Sequence, residues 1–236
     1  MPPPDERQSA DERNDVRRDL RRSPLEELGA RLRLWRYRIL HPNRPLLTAE
    51  AVGFLARELP RCRTGLEWGS GCSTLWLARR LPRLVSVEHD PKWHAWVCKR
   101  LTKRRATGAE CLLRSLDGED PAQSEYVRAV DAFDRDTLGF CLVDGRLRLH
   151  CARAAAPKIA PGGMLVLDDA QRYFVPDGPG PAAQLTRKED ADAGWQDVLD
   201  VVAGWRCLWS SDIMRSTVIW VKPPSGAAVR PDPSVR

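Results

Sequence analysis

The chain has 236 residues, 42% of them apolar and 30% charged, enough to bury a two- or three-layer core but cramped for two independent domains. Mean hydropathy is -0.45, and no apolar run approaches the roughly 18 to 20 residues of a membrane-spanning helix, so no membrane partner is expected. The opening Met1-Pro2-Pro3-Pro4-Asp5 lacks the basic and apolar regions of a secretory signal, which leaves the cytoplasm as the expected compartment.

The net charge of +6 is matched by one stretch: residues 91–114 carry seven Lys or Arg against Glu110. Without interleaved stacking aromatics beyond Trp96, such a run predicts a solvated helix face, and a nucleic-acid partner is not expected. Seven cysteines, an odd number, show no Cys-x-x-Cys pair and no neighbouring His at zinc-ligand spacing. They are expected to be reduced thiols, mostly buried.

In chain order, residues 1–24 have almost no apolar side chains and predict a disordered charged tail. Residues 25–60 predict a helical extension: Leu28, Leu32, Trp35 and Leu40 recur at helical spacing, and His41-Pro42 stops that helix. Thr48 is then placed to cap a second helix over 49–58, which Pro60 ends. From 61 to 223 short apolar runs alternate with helical stretches, the pattern of a doubly wound α/β sheet. Strands are expected at 65–68, 84–87, 110–113, 139–143 and 164–167, with Pro161-Gly162-Gly163 as a turn before the fifth. A Pro/Gly-rich loop at 176–181 and a helix near 191–202 precede strands at 205–210 and 216–222, close enough to pair antiparallel as a hairpin. Residues 224–236 predict a second disordered tail.

The segment richest in chemistry is Glu67-Trp68-Gly69-Ser70-Gly71-Cys72-Ser73-Thr74-Leu75, where a strand ends in an acid and a glycine turn leads into a helix. Twenty-one residues after Glu67, the second strand ends at Glu88, a carboxylate that can accept both hydroxyl hydrogens of a ribose. A nicotinamide-dependent oxidoreductase would want glycine at Thr74 and no acid at Glu67, so it stands as an alternative only, as does a nonenzymatic nucleic-acid-binding protein with a degenerate nucleotide pocket.

These residues resemble the class I S-adenosylmethionine-dependent methyltransferases, over about residues 46–223, and within them the small-molecule or sugar O-methyltransferases. Other carriers of the resemblance are Asp144 ending the fourth strand, the Pro161-Gly162-Gly163 turn and the terminal hairpin; Ser73 departs from the third glycine often seen in the turn. The resemblance implies a Rossmann-like, mostly parallel seven-stranded sheet with a C-terminal antiparallel hairpin, the helical extension covering the substrate crevice. It implies S-adenosylmethionine as cofactor, with Glu67, Gly69, Ser70, Gly71 and Ser73 on its aminoacyl side, Glu88 at its ribose, and His89, Ser115 and Asp117 near its adenine. Asp144 would serve both cofactor and catalysis.

Asp144, Asp168 and Asp169 end adjacent strands, and three uncompensated carboxylates repel one another. A divalent cation, most naturally Mg²⁺, would relieve this and acidify a substrate hydroxyl, as in the metal-dependent O-methyltransferases that these acids resemble. In the metal-free alternative, Asp168 or Asp169 caps the next segment and Asp144 meets the cofactor's ammonium group. Arg146 and Arg172, just past the strand ends, are candidate contacts to an acidic small-molecule or saccharide acceptor. The oligomeric state has no signal in the sequence.

Overall fold

The strands at the centre of the molecule are apolar on both faces, which commits the chain to a sheet covered on both sides. In β4 (Leu138–Val143), Cys141 and Val143 face one core while Phe140 and Leu142 face the other. In β5 (Ile159–Leu167), Leu165 and Leu167 alternate in the same way with Met164 and Val166. A computed structural model describes residues 44–178, 183–212 and 215–225. The expectations for residues 1–24, for 25–43 of the extension and for 226–236 of the second tail lie outside these.

From Pro45 onward the described chain forms one unit. With β1 (Thr64–Trp68), β2 (Arg83–Glu88), β3 (Ala109–Leu113), β8 (Arg206–Ser211) and β9 (Ser216–Val221), β4 and β5 complete a seven-stranded sheet of order β3-β2-β1-β4-β5-β9-β8. The first five strands are parallel, and β9 enters antiparallel between β5 and β8. This is the Rossmann-like doubly wound sheet with its antiparallel terminal hairpin. The order turns back between β1 and β4, and there the Asp144 N–H donates to the Trp68 carbonyl at 3.0 Å. Ligands of open α/β sheets bind at such a switch point.

Helix α1 (Ala49–Glu58) begins where Thr48 accepts the Ala51 N–H, and it buries Ala51, Val52 and Leu55 in the core formed by Leu142, Val166 and Ile219. Helix α2 (Cys72–Leu77) follows the glycine turn, and α3 (Pro91–Lys103) is capped by the Asp90 carboxylate, which accepts the Lys92 and Trp93 N–H groups. Lys92, Lys99, Lys103, Arg104 and Arg105 of the basic run are exposed. A short helix α4 (Glu125–Arg128) places Tyr126 in the opposite core, where Ala152 of α5 (Arg148–Ala155) and Trp195 of α6 (Gly194–Val201) also pack.

Two features differ from expectation. The Pro161-Gly162-Gly163 turn lies inside β5, not before it, where the register with β4 shifts and Gly162 takes a φ of +78°. A two-stranded ribbon, β6 (Phe174–Pro176) with β7 (Leu185–Arg187), flanks the expected Pro/Gly-rich loop. Three-residue strands are too short for alternation to announce, and packing holds this ribbon: the Phe174 ring meets Trp195 and Trp220 edge-on at 5.3 and 5.9 Å. Among the described residues, no helix is long and apolar enough to cross a membrane.

Candidate functional site at the sheet switch point

Gly69 is where the site requires glycine. Its φ is +92°, and a Cβ there would lie 2.8 Å from the Gly145 backbone, because the turns after β1 and β4 are in contact. Gly71 is extended (φ −179°), and a Cβ on it would meet only Trp93 and Ser73 at ordinary contact distance. The Trp93 indole N–H donates to the Ser70 carbonyl, fastening α3 to the turn.

Glu67 is fully buried. Its Oε2 accepts from the hydroxyls of Thr74 at 2.6 Å and Ser86 at 2.7 Å, while its Oε1 has no hydrogen-bond partner. Burial raises the proton affinity of this carboxyl; Ser73, Thr74 and Ser86 lower it, and nearby Glu88 raises it again. A buried acceptor left unmatched costs roughly 1–3 kcal/mol, more when charged, so Oε1 is suited to receive a hydrogen-bond donor. Thr74 and Ser86 were not among the predicted site residues. Ser86 was within reach, since it is the register partner of Glu67 across β1 and β2. Thr74 accepts the Gly71 N–H at 2.7 Å while donating to Glu67, so the threonine that argued against a dinucleotide is what holds the acid and the turn together.

Glu88, also buried, is oriented by the start of α3: its Oε1 accepts the N–H groups of His89 at 2.8 Å and Asp90 at 2.9 Å. The His89 ring lies edge-on to Tyr126 at 6.0 Å, with Nδ1 2.9 Å from the Glu88 carboxylate but misaligned for a hydrogen bond. Ser115 and Asp117 form a local turn, the serine hydroxyl donating to the aspartate at 2.5 Å and accepting its N–H at 2.9 Å. That turn follows Arg114, whose N–H donates to the Glu88 carbonyl, so both residues stand beside the end of β2.

At the ends of β4 and β5 the arrangement differs. The Arg148 guanidinium reaches Asp144 Oδ1 at 3.2 Å, Asp169 Oδ2 at 3.3 Å and the Asp168 carbonyl at 2.7 Å. Arg172 pairs with Asp169 at 3.2 Å, and Arg215 stands 3.5 Å from Asp168, which also accepts the Thr217 hydroxyl at 2.8 Å. Arg146 donates its backbone N–H to the Tyr126 hydroxyl at 3.3 Å. The expected Mg²⁺ does not fit these residues: guanidinium groups already pair with the carboxylates and offset part of the repulsion that called for an ion. Neither Asp168 nor Asp169 accepts a capping N–H from the short turn that follows.

Burial pushes the Asp144 carboxyl up to about 6, with Arg148 opposing and Asp169 adding to the rise. Its side chain keeps 26% exposure. Burial, with Asp144 and Asp169 nearby, pushes Asp168 up to about 8. Asp169 is also raised by burial, but Arg148, Arg172 and Arg215 together bring it below its ordinary value. The cysteines divide more evenly than expected: Cys62, Cys141 and Cys151 are buried, and Cys72, Cys98, Cys111 and Cys207 are half-buried.

Strand order and switch-point geometry can be set beside solved structures. A methyltransferase-like protein from Silicibacter pomeroyi superposes with a TM-score of 0.50 at 22% identity, over 76% of this chain and 89% of that one. The fold is that of the class I methyltransferases. A methyltransferase from Geobacter sulfurreducens gives a TM-score of 0.49 at 12% identity over 86% and 90% of the two chains. An rRNA methylase from Streptococcus thermophilus gives 0.49 at 12% over 72% and 95%. No family model matches the chain, and no curated protein does. On this methyltransferase fold, Glu67 and Glu88 stand at neighbouring strand ends and Asp144 across the switch point from them.

Proposed function

We propose that the protein is an S-adenosylmethionine-dependent methyltransferase acting on an oxygen of a small molecule or saccharide, without a catalytic metal. One observation carries this reading: the buried Glu67 Oε1 lacks a donor beside a glycine turn, with Glu88 on the adjacent strand end. The amino group of an amino-acid moiety meets that need, and a ribose diol suits Glu88. When bound, S-adenosylmethionine supplies a methyl group on a positively charged sulfur.

Within this reading, Glu67 accepts from the ammonium group, and Glu88, fixed by two backbone N–H groups, accepts from the ribose hydroxyls. His89, Ser115 and Asp117 border the adenine end. Asp144 is the general base, because a carboxyl raised to about 6 is ionised at neutral pH yet basic enough to take a hydroxyl proton. Asp168, raised to about 8, keeps its proton there and does not compete. Arg148 clamps Asp144 in place, and Arg146 and Arg172 border the acceptor.

Calorimetric titration with S-adenosylhomocysteine tests the proposal. Binding is expected in the parent protein and should weaken at least about tenfold, or about 1.4 kcal/mol, in Glu88→Ala. No binding heat in the parent at several temperatures would overturn it.

A further inference from the structure

Helix α3 carries His94 and Cys98 four residues apart, hence on one face and one turn from each other. Strand β3 brings Cys111 to the same space from beneath. One imidazole nitrogen and both sulfur atoms lie within 4.8 Å of one another, all three side chains half-buried. Contrary to the expectation that no His stands at zinc-ligand spacing from a cysteine, His94 and Cys98 lie one helical turn apart, and only the fold adds Cys111.

The geometry points to a binding site for a thiophilic d¹⁰ metal ion, zinc(II) being the reference case, held by His94, Cys98 and Cys111 with a fourth position open. His94 Nε2 lies 2.9 Å from the Cys111 carbonyl. A carbonyl only accepts, so Nε2 carries the hydrogen and Nδ1 keeps its lone pair, 3.9 Å from the Cys98 sulfur; Nε2 itself lies 3.4 Å from that sulfur. Zinc bonds of about 2.3 Å to sulfur and about 2.0 Å to nitrogen give a tetrahedral S···N edge of roughly 3.5 Å, close to the 3.9 Å between Cys98 Sγ and His94 Nδ1. A ligating histidine whose other N–H rests on a backbone carbonyl is the usual supporting arrangement. Two sulfurs and an imidazole select against magnesium and calcium, which take oxygen ligands. Binding replaces two thiol protons, released to solvent, by one doubly charged cation, so the filled unit is neutral.

The site also touches the switch point. Cys111 Sγ lies 3.3 Å from Ser70 Oγ, which lies 2.7 Å from Ser86 Oγ, and Ser86 donates to Glu67. A metal-bound thiolate accepts only, so filling the site turns the Ser70 hydroxyl toward Cys111 and away from Ser86.

Cobalt(II), a spectroscopic stand-in for zinc, tests this on the reduced full chain without any cofactor, so the outcome is separate from that of the proposed function. One equivalent should give thiolate-to-cobalt charge-transfer absorption and intense visible bands, both displaced by zinc. Cys98→Ser and Cys111→Ser should each abolish the charge-transfer band, while Cys207→Ser keeps it. Absence of the band in the parent, or its survival in both cluster variants, overturns the site. Should a variant fail to fold, alkylation of the parent decides: zinc should protect Cys98 and Cys111 in peptide mass spectra, and protection of neither overturns the assignment.

Discussion

The two acidic clusters at the sheet switch point are built on opposite principles. At the ends of β1 and β2, Glu67 and Glu88 are held by hydroxyls and backbone N–H groups, with no cation among their hydrogen-bond donors, and one buried carboxylate oxygen is unmatched. At the ends of β4 and β5, Asp144, Asp168 and Asp169 face Arg148, Arg172 and Arg215. The first cluster is electrostatically unfinished and the second is closed. A site that awaits a cationic ligand has to leave its acids short of positive charge, whereas a neutralised cluster can position groups without recruiting an ion.

Removing Arg148 should break this contrast with the largest effect. Only 13% of its side chain is exposed, and it holds both Asp144 and Asp169, so Arg148→Met strips the ion-pair partner from the half-buried Asp144 and leaves Asp169 with Arg172. Thermal and denaturant unfolding should show a loss of about 3 kcal/mol. The variant should also become stabilised by millimolar Mg²⁺, which leaves the parent unmoved; equal response of both would mean that the arginine does not stand where an ion otherwise would.

Glu67→Gln sharpens the contrast from the other side. Glutamine keeps an acceptor oxygen for Thr74 and Ser86 but loses the charge, so affinity for S-adenosylhomocysteine should fall by one to two orders of magnitude, about 1.4–2.7 kcal/mol. Stability should not fall with it. The folded proton affinity of Glu67 is raised, so its contribution is complete at acid pH and is lost as pH rises through the folded value. The glutamine variant should therefore be the more stable of the two in alkaline buffer.

The same sign applies to Asp168. Its stabilisation is complete below the ordinary carboxylate value of about 4 and is lost as pH climbs through about 8. Asp168→Asn, which still offers an oxygen to Thr217, should flatten the decline of melting temperature across that window. An unchanged slope would place the titration on another group.

Much of this was legible in the sequence, for local reasons. Helix α1 (Ala49–Glu58) lies where Thr48 and Pro60 bound it, and the central strands fall on the apolar runs. Glu67, Gly69 and Glu88 were visible because strand, turn and helix follow one another directly. Arg148 was hidden among the other arginines, although its spacing of four from Asp144 was an available cue. Arg215 meets Asp168 across 47 positions, a contact that only the antiparallel entry of β9 creates. Ribbon β6–β7 and the shifted register inside β5 depend on packing and have no periodic signature.

The smallest effect distinguishes the two hydroxyls that hold Glu67. Ser86→Ala removes one donor to Oε2, while Ser70, Thr74 and the rest of the turn stay in place, so a loss of about 1 kcal/mol is expected. Thr74→Val keeps the shape but removes both the donor to Glu67 and the acceptor of the Gly71 N–H, leaving that N–H unmet and Oε2 with Ser86 alone. It should cost about 1 kcal/mol more than Ser86→Ala and should weaken S-adenosylhomocysteine binding beyond its effect on stability, since it loosens the turn as well as the acid. In the background of Glu67→Ala the serine penalty should largely vanish, while the threonine keeps the part owed to Gly71. Equal penalties in that background would mean that Thr74 serves the carboxylate alone and that the glycine turn is held by something else.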